Sequence, residues 1–145
     1  MAKRSSVTFT IPGLWLSERK RNVRAGKFQR RIDLPDRAEF KGKVAVFAQR
    51  AMRGQAPLEG PLSVVMTFSR PKPPSWPKNP TKGNPWPEWP WKKPDWDNLG
   101  KIGGDPLSGI VYQDDAQVCD GRVRKVWGEW GVEITVAEMA TTQGE

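Results

Sequence analysis

The chain contains no histidine and only one cysteine, Cys119, and these scarcities narrow the chemistry open to it. A structural zinc site of the usual Cys/His kind cannot be assembled from such a composition. Ser-His-Asp and Cys-His nucleophilic mechanisms are excluded for the same reason, as are nucleases that use a histidine base. A single cysteine also precludes an intrachain disulfide, which indicates a reducing compartment. An enzyme built from these residues would depend on carboxylates, lysine and a hard, oxygen-binding cation.

Three further absences exclude whole classes of protein. No Gly-x-x-x-x-Gly-Lys-Ser/Thr loop is present, so the chain is not a P-loop hydrolase and we expect no nucleotide cofactor. No segment approaches the ~18 apolar residues of a membrane-spanning helix, and no apolar stretch follows the basic N-terminus as in a signal peptide. We therefore expect a cytoplasmic protein without a membrane partner. With 145 residues, 37% of them hydrophobic, one domain with a real core is expected over residues 1–145.

Charge is distributed unevenly along this basic chain, whose formal net charge is +8. Residues 1–53 hold 14 Lys/Arg against 4 Asp/Glu, whereas residues 95–145 hold 4 against 10. Such a basic surplus is typical of phosphate-binding surfaces, and a solvated face that only keeps the protein soluble is the alternative. We favour a nucleic-acid partner.

Four aspartates lie close together in the acidic part of the chain. Asp95, Asp97, Asp114 and Asp115 fall within 21 residues. Two like charges ~4 Å apart repel by roughly 4 kcal/mol at an effective dielectric near 20, so clustered carboxylates indicate a bound cation or a shared proton. Each aspartate alone would be explained by a surface turn or a helix cap. Their combination downstream of a basic half predicts a metal-dependent nuclease.

The N-terminal half predicts two strands and one helix. Residues 7–11 and 62–68 alternate apolar with polar positions, as strands do. Pro35 opens a helix that continues to Met52 or Arg53. Residues 14–34 show no clean period, and we interpret them as a basic loop.

The C-terminal half predicts a second helix and two more strands. Residues 97–107 begin like a helix with Asp97 as N-cap, which places Lys101 one turn further on. Residues 118–127 and 130–137 are interpreted as strands joined by a tight turn, hence a hairpin. The element order predicts a small α+β domain, with a mixed β-sheet of about four strands packed against two helices.

Residues 71–94 form a Pro/Trp-rich loop that contains nine of the 14 prolines and four of the eight tryptophans. Each proline fixes φ and removes a donor, so this loop must be extended or irregular. It is also too long for a passive connection.

The acidic segments resemble the signature of the RusA-type Holliday-junction resolvases. The matching segments are Pro94-Asp-Trp-Asp-Asn-Leu-Gly-Lys101, then Asp105-Pro-Leu-Ser-Gly109, then Val111-Tyr-Gln-Asp-Asp-Ala-Gln-Val118. The family pattern is Pro-Asp-x-Asp-Asn-Leu-x-Lys-x-x-x-Asp-x-Leu followed by Asp-Asp-x-Gln-Val. Every charged position is filled, and the match covers residues 94 to about 126.

The resemblance implies a homodimeric, Mg²⁺-dependent endonuclease, with Mn²⁺ able to substitute, that makes paired nicks in four-way DNA junctions during recombination, repair or replication. Asp95, Asp97 and Asp115 match the essential carboxylates, and Lys101 matches an essential lysine. Asp114 and Asp105 match acidic positions in supporting roles, and we include Asp114 among the metal ligands. Compact resolvases of this kind are often found in phages.

Further residues are expected to contact DNA. Tryptophans of the Pro/Trp-rich loop would stack on unpaired bases at a branch point, although packing against a dimer partner or recognition by another protein would also explain them. Arg122 and Arg124 would position phosphate, or form a cross-strand ion pair with Glu133. The predicted DNA contacts are Arg19, Lys20, Arg21, Arg24, Lys27, Arg30, Arg31, Trp86, Trp89, Trp91, Lys92, Lys93, Arg122 and Arg124.

The sequence departs from the family pattern after Lys101. Gly103 and Gly104 are poor helix formers, and Pro106 cannot donate to the carbonyl of Ile102. We therefore expect the helix to end near Asp105 or to kink there. Two alternative functions stay open: a branched- or single-stranded-DNA-binding protein without catalysis, and a general Mg²⁺-dependent flap or single-strand nuclease.

Overall fold

The computed structural model describes residues 5–15, 22–25, 28–31, 35–73 and 87–140. Its elements in chain order are β1 (Ser6–Pro12), β2 (Asn22–Ala25), β3 (Phe28–Arg31), α1 (Pro35–Met52), β4 (Leu62–Arg70), α2 (Trp96–Gly104), β5 (Val118–Trp127) and β6 (Gly131–Glu138). Two 3₁₀ helices, Asp105–Leu107 and Asp115–Gln117, lie between α2 and β5. No helix in the described part of the chain is long and apolar enough to cross a membrane.

A four-stranded mixed sheet in the order β1-β6-β4-β5 forms the centre of the molecule. β6 runs antiparallel to β1 and β4, and β5 runs parallel to β4 along one edge. Together with α1 and α2 this sheet makes a small α+β domain, which confirms the predicted fold class. Both helices cover the same face of the sheet, where alternate residues of β4, such as Met66 and Phe68, are buried.

The predicted hairpin of residues 118–137 is wrong, because β4 lies between β5 and β6. Thr67 of β4 faces Arg124 on one side and Glu133 on the other. Residues 128–130 cross the end of β4, where the Gly128 N–H donates to the Arg70 carbonyl at 2.9 Å. Alternation shows which face of a strand is buried but does not identify its neighbour, so a short connection was mistaken for a hairpin turn.

The α1 helix follows the predicted bounds. Phe40, Val44, Ala48 and Met52 recur at helical spacing and are buried against the sheet. The helix ends where Arg53 takes a φ of 50° and Gly54 a φ of 75°, so the chain leaves the helix in the left-handed region.

The segment 14–34 is not the continuous loop that we predicted. β2 and β3 pair antiparallel within it, with Asn22 opposite Arg31 and Ala25 opposite Phe28. These eight residues carry few apolar side chains, so they show no alternation that could indicate a strand. The Gly26-Lys27 pair between them is nevertheless a sequence signal for a two-residue hairpin connection, and we overlooked it.

Candidate active site

The first acidic pair, Asp95 and Asp97, lies at the start of α2. Asp95 occupies the N-cap position with extended backbone angles, and its carbonyl accepts a hydrogen bond from the Leu99 N–H at 3.2 Å. The N-cap therefore lies two residues earlier than predicted, and Asp97, assigned as N-cap from the sequence, lies in the first turn of the helix. Buried Leu99 and Ile102 hold α2 against the sheet, so Asp97 and Lys101 are exposed.

Close packing explains the glycines that depart from the family pattern. A Cβ atom on Gly103 would lie 2.7 Å from Met66 Sδ and 3.4 Å from Phe68 Cζ. The absent side chain therefore allows α2 to approach β4. The α-helix gives way to a 3₁₀ helix at Asp105, as expected from Pro106. Asp105 is the C-cap of α2, where its N–H donates to the Lys101 carbonyl, and its side chain forms an ion pair with Lys41 of α1 at 3.5 Å.

The second acidic pair, Asp114 and Asp115, begins the 3₁₀ helix that leads into β5. Asp114 Oδ1 accepts a hydrogen bond from the Ala116 N–H at 2.9 Å, and Gln117 Oε1 accepts from the Asp114 N–H at 3.1 Å. Gln117 Nε2 also donates to the carbonyls of Leu58 and Gly60, both at 3.1 Å. Gln117 thus links the backbone at Asp114 to the segment before β4 through hydrogen bonds. This is a structural role that we did not predict.

The two carboxyl groups of the second pair influence each other. A hydrogen bond with the Asp114 side chain raises the pKa of Asp115, and the negative charges of Asp114 and Asp105 act in the same direction. The Ala116 N–H holds the pKa of Asp114 below its usual range, with the Asp115 hydrogen bond adding to the effect. The two carboxyl groups can therefore share one proton, and a bound cation would compete with that proton for their oxygens.

Tyr112 connects α2 to the second acidic pair. Its buried hydroxyl donates to the Gly104 carbonyl at 2.9 Å, so the end of α2 is tied to the segment that carries Asp114 and Asp115. Burial, together with the charges of Asp115 and Asp105, raises the pKa of Tyr112 to about 12. We did not single out Tyr112 from the sequence, although its place two residues before Asp114 is a signal that could have been used.

The Pro/Trp-rich loop is attached beside the first acidic pair. Lys125 Nζ of β5 donates to the carbonyls of Lys92 and Pro94, at 2.7 Å and 3.0 Å. Burial lowers the pKa of Lys125, and nearby Asp95 opposes that shift. Lys93, predicted to contact DNA, forms an ion pair with Asp95 at 2.7 Å. Lys125 is therefore a third residue of the site, after Gln117 and Tyr112, that sequence reasoning missed.

A complete metal site is not formed in the described part of the chain. No group of three or more His, Cys, Asp or Glu side chains converges there in an arrangement that could hold an ion. Asp95, Asp97, Asp114 and Asp115 are all exposed, in two pairs at the ends of neighbouring elements. Their carboxylate oxygens are the donors that Mg²⁺ prefers, so the residue types suit this cation. Their positions do not, because three or more of these side chains do not converge in the described part of the chain.

The predicted arginine contacts of β5 lie away from the acidic pairs. Arg122 faces Val65 and Arg124 faces Thr67 across β5 and β4, which places both on the sheet face opposite α2. The alternative ion pair between Arg124 and Glu133 does not form among the described residues, because β4 separates the two strands. Arg122 instead lies 4.0 Å from Asp120. Their contact with DNA stays a prediction.

Other predicted DNA contacts lie within the Pro/Trp-rich loop and on β2 and β3. Trp89 and Trp91 have 53% and 71% of their surface exposed, and Lys92 Nζ lies 5.9 Å from the Trp91 ring centre. The backbones of Arg24, Arg30 and Arg31 lie in β2 and β3. The remaining predicted contacts lie outside the described residues: Arg19, Lys20, Arg21, Lys27 and Trp86.

Comparison with known proteins gives two findings. A family model described as "Endodeoxyribonuclease RusA" matches residues 14–137. "Uncharacterized protein YqaN" of Bacillus subtilis (strain 168) is 32% identical over 123 residues, which cover 82% of this chain and 85% of that protein.

Proposed function

Because the chain belongs to the RusA endodeoxyribonuclease family, we propose that it is a Mg²⁺-dependent endonuclease that resolves four-way DNA junctions by paired nicks. The observation that supports this proposal best is the position of the two acidic pairs. Asp95 and Asp97 start α2, Asp114 and Asp115 lead into β5, and Tyr112 ties the two segments together in a protein of net charge +8.

Asp95, Asp97 and Asp115 would hold the metal, with Asp114 as a further ligand and Mn²⁺ able to substitute. Asp95 must then exchange its contact with Lys93 for the cation, which costs little because an exposed ion pair contributes about 0–1 kcal/mol. When bound, the cation polarises the phosphodiester and lowers the pKa of an attacking water. Lys101 is exposed and carries no ion pair among the described residues, so it can neutralise charge that develops on the phosphate.

The proposal includes a homodimer, for a reason that lies in the substrate. A four-way junction has approximate two-fold symmetry, and productive resolution requires two opposed cuts. Two copies of the chain related by the same symmetry would supply two equivalent sites. Light scattering on the protein alone and on its junction complex would measure this directly, with a dimer expected in the complex.

Cleavage of a labelled synthetic four-way junction tests the proposal. The wild-type protein should make paired symmetric nicks with Mg²⁺ and none with EDTA, whereas Asp97→Asn should bind the junction without cutting. Asp120→Asn is a matched control, since Asp120 is also exposed but lies on the opposite sheet face. If Asp97→Asn cuts as well as Asp120→Asn does, the assignment of the acidic site is wrong.

A second candidate, branched-DNA binding without catalysis, is favoured by one observation. The carboxylates are not yet spaced for a metal ion in the described residues. Tight binding to the junction by wild type and Asp97→Asn, with no cleavage by either under Mg²⁺ or Mn²⁺, would establish this alternative. Cleavage of flaps or single strands in preference to the junction would instead indicate a general nuclease.

A further inference from the structure

A cavity of about 110 Å³ lies between the Pro/Trp-rich loop and the ends of β4 and β5. It borders the first acidic pair, because Lys93 and Pro94 line it and are followed directly by Asp95. Aromatic and cationic side chains share its lining with prolines of the loop. The residues that matter here are Trp15, Arg70, Trp91, Lys92, Lys125 and Trp127.

The tryptophans of the cavity present ring surface rather than polar groups. Trp15 Nε1 donates to the Ser69 carbonyl at 2.6 Å, and Trp127 Nε1 donates to the Pro87 carbonyl at 2.9 Å. With both indole donors engaged by the backbone, these rings are held in place and line the cavity as apolar surface. Trp91 stands at the rim with 71% of its surface exposed. The arrangement suits a flat aromatic ligand.

The cationic side chains of the cavity suit an anion. Arg70 Nε is buried and has no hydrogen-bond partner within the described residues, while its guanidinium carbon lies 5.5 Å from the Trp130 ring centre. A buried donor without an acceptor is destabilising, so an arginine held in this way indicates an acceptor that binds there. Lys92 and Lys125 add positive charge at the same cavity.

We infer that this cavity binds one unpaired nucleotide of the DNA substrate, with its base against the tryptophans and its phosphate at Arg70. The inference rests on the proposed function, because it makes the ligand part of the DNA that is cut. The cavity of about 110 Å³ is smaller than the ~150 Å³ apolar cavity that accommodates benzene, so a pyrimidine base would enter it only in part and would stack on exposed Trp91 at the rim. A nucleotide held beside Asp95 would favour DNA whose bases are unpaired near the cleaved bond, as at a branch point, over continuous duplex.

Removal of the bases tests the inference. Dissociation constants are measured in EDTA, by fluorescence anisotropy, for a four-way junction with thymidines at its branch point and for the same junction with abasic residues there. Wild type should bind the thymidine junction about five- to a hundred-fold more tightly, the range expected for one lost base–aromatic stack. Trp91→Ala should abolish this preference and Trp91→Phe should retain most of it. Circular dichroism verifies that each variant is folded, which the exposure of Trp91 favours.

Arg70→Gln should weaken binding of both junctions. The decline of log affinity with log salt concentration should also become less steep by about one unit of slope, as for one lost phosphate contact. Arg50→Gln is the matched control, because Arg50 also lies over an aromatic ring, at 5.6 Å from Phe47, but outside the cavity. Equal affinity of wild type for the two junctions would overturn the inference, as would a base preference that survives in Trp91→Ala. Cleavage of the thymidine junction with Mg²⁺ in the same preparations tests the proposed function separately, so either idea can fail alone.

Discussion

The hydrogen bond from Tyr112 to the Gly104 carbonyl makes a prediction that can be measured without any substrate. The bond is 2.9 Å long and buried. Tyr112→Phe removes the donor and leaves the carbonyl without it, which should lower the free energy of unfolding at pH 7 by about 1–2 kcal/mol. The two acidic pairs would lose their shared support at the same time, so we also expect slower junction cleavage by this variant.

The pH dependence of stability tests the same contact with a definite sign. The pKa of Tyr112 is raised from 10.0 to about 12 in the folded protein, so folding favours the neutral phenol. Its contribution to stability is complete below pH 10 and is lost as the pH rises towards 12. At pH 11 the loss is about 1.4 kcal/mol, the equivalent of one pKa unit. The stability difference between wild type and Tyr112→Phe should therefore narrow by about that amount between pH 9 and pH 11.

Two measurements check this reasoning. Urea unfolding at pH 7, 9, 10 and 11 gives the stability difference, and comparison of the two proteins cancels the lysines that titrate over the same range. Tyr112 is the only tyrosine of the chain, so tyrosinate absorbance follows this one group. A titration midpoint near 10 in the folded protein, or a stability difference that stays constant with pH, would refute the argument.

Two further substitutions test the packing of α2 and of the loop. Gly103→Ala should destabilise the protein by about 1–2 kcal/mol in urea unfolding, because the new Cβ meets Met66 and the cost of overpacking exceeds the gain in helix propensity. Gly42→Ala, where nothing lies within 4 Å, should stabilise by up to about 1 kcal/mol, and a similar gain at both glycines would contradict this account. Lys125→Met should slow junction cleavage at unchanged α-helix content, since it removes both hydrogen bonds that hold the Pro/Trp-rich loop beside Asp95. Wild-type cleavage by this variant would show that the loop needs no such anchor.

The parts of the fold predicted from the sequence are those with local causes. The apolar stripe of α1, its stop at Gly54 and the end of α2 near Pro106 depend on residues within a few positions of one another. Strand neighbours depend on distant residues instead. β5 would show the same alternation of residues whether it paired with β4 or formed a hairpin with β6. The pattern alone therefore could not decide which strand is its neighbour.

The residues of the candidate site also divide into those that the sequence indicates and those that act through contacts formed only on folding. The four aspartates could be singled out because their charges are out of place in a basic chain, and the motif supplied Lys101. Tyr112, Gln117 and Lys125 act through backbone carbonyls of other elements, and such contacts exist only once the chain has folded. Arg122 and Arg124 share one face of β5, as their alternation predicts, but which side of the sheet that face lies on depends on the placement of β5.

The contacts that hold this site position the backbone of its two acidic pairs. Tyr112, Gln117 and Lys125 fix the backbone on either side of the acidic pairs, and none of them forms an ion pair with a carboxylate among the described residues. The side chains of Asp95, Asp97 and Asp115 are exposed, and each contacts only a residue close to it in sequence, namely Lys93, the Asn98 N–H and Asp114. These side chains can therefore reorient while their backbone positions are constrained. A cation bound at the site would then need to order only exposed side chains, rather than refold a segment. Disrupting Tyr112 should consequently impair cleavage more than DNA binding, because the phosphate contacts that we predict lie on other residues.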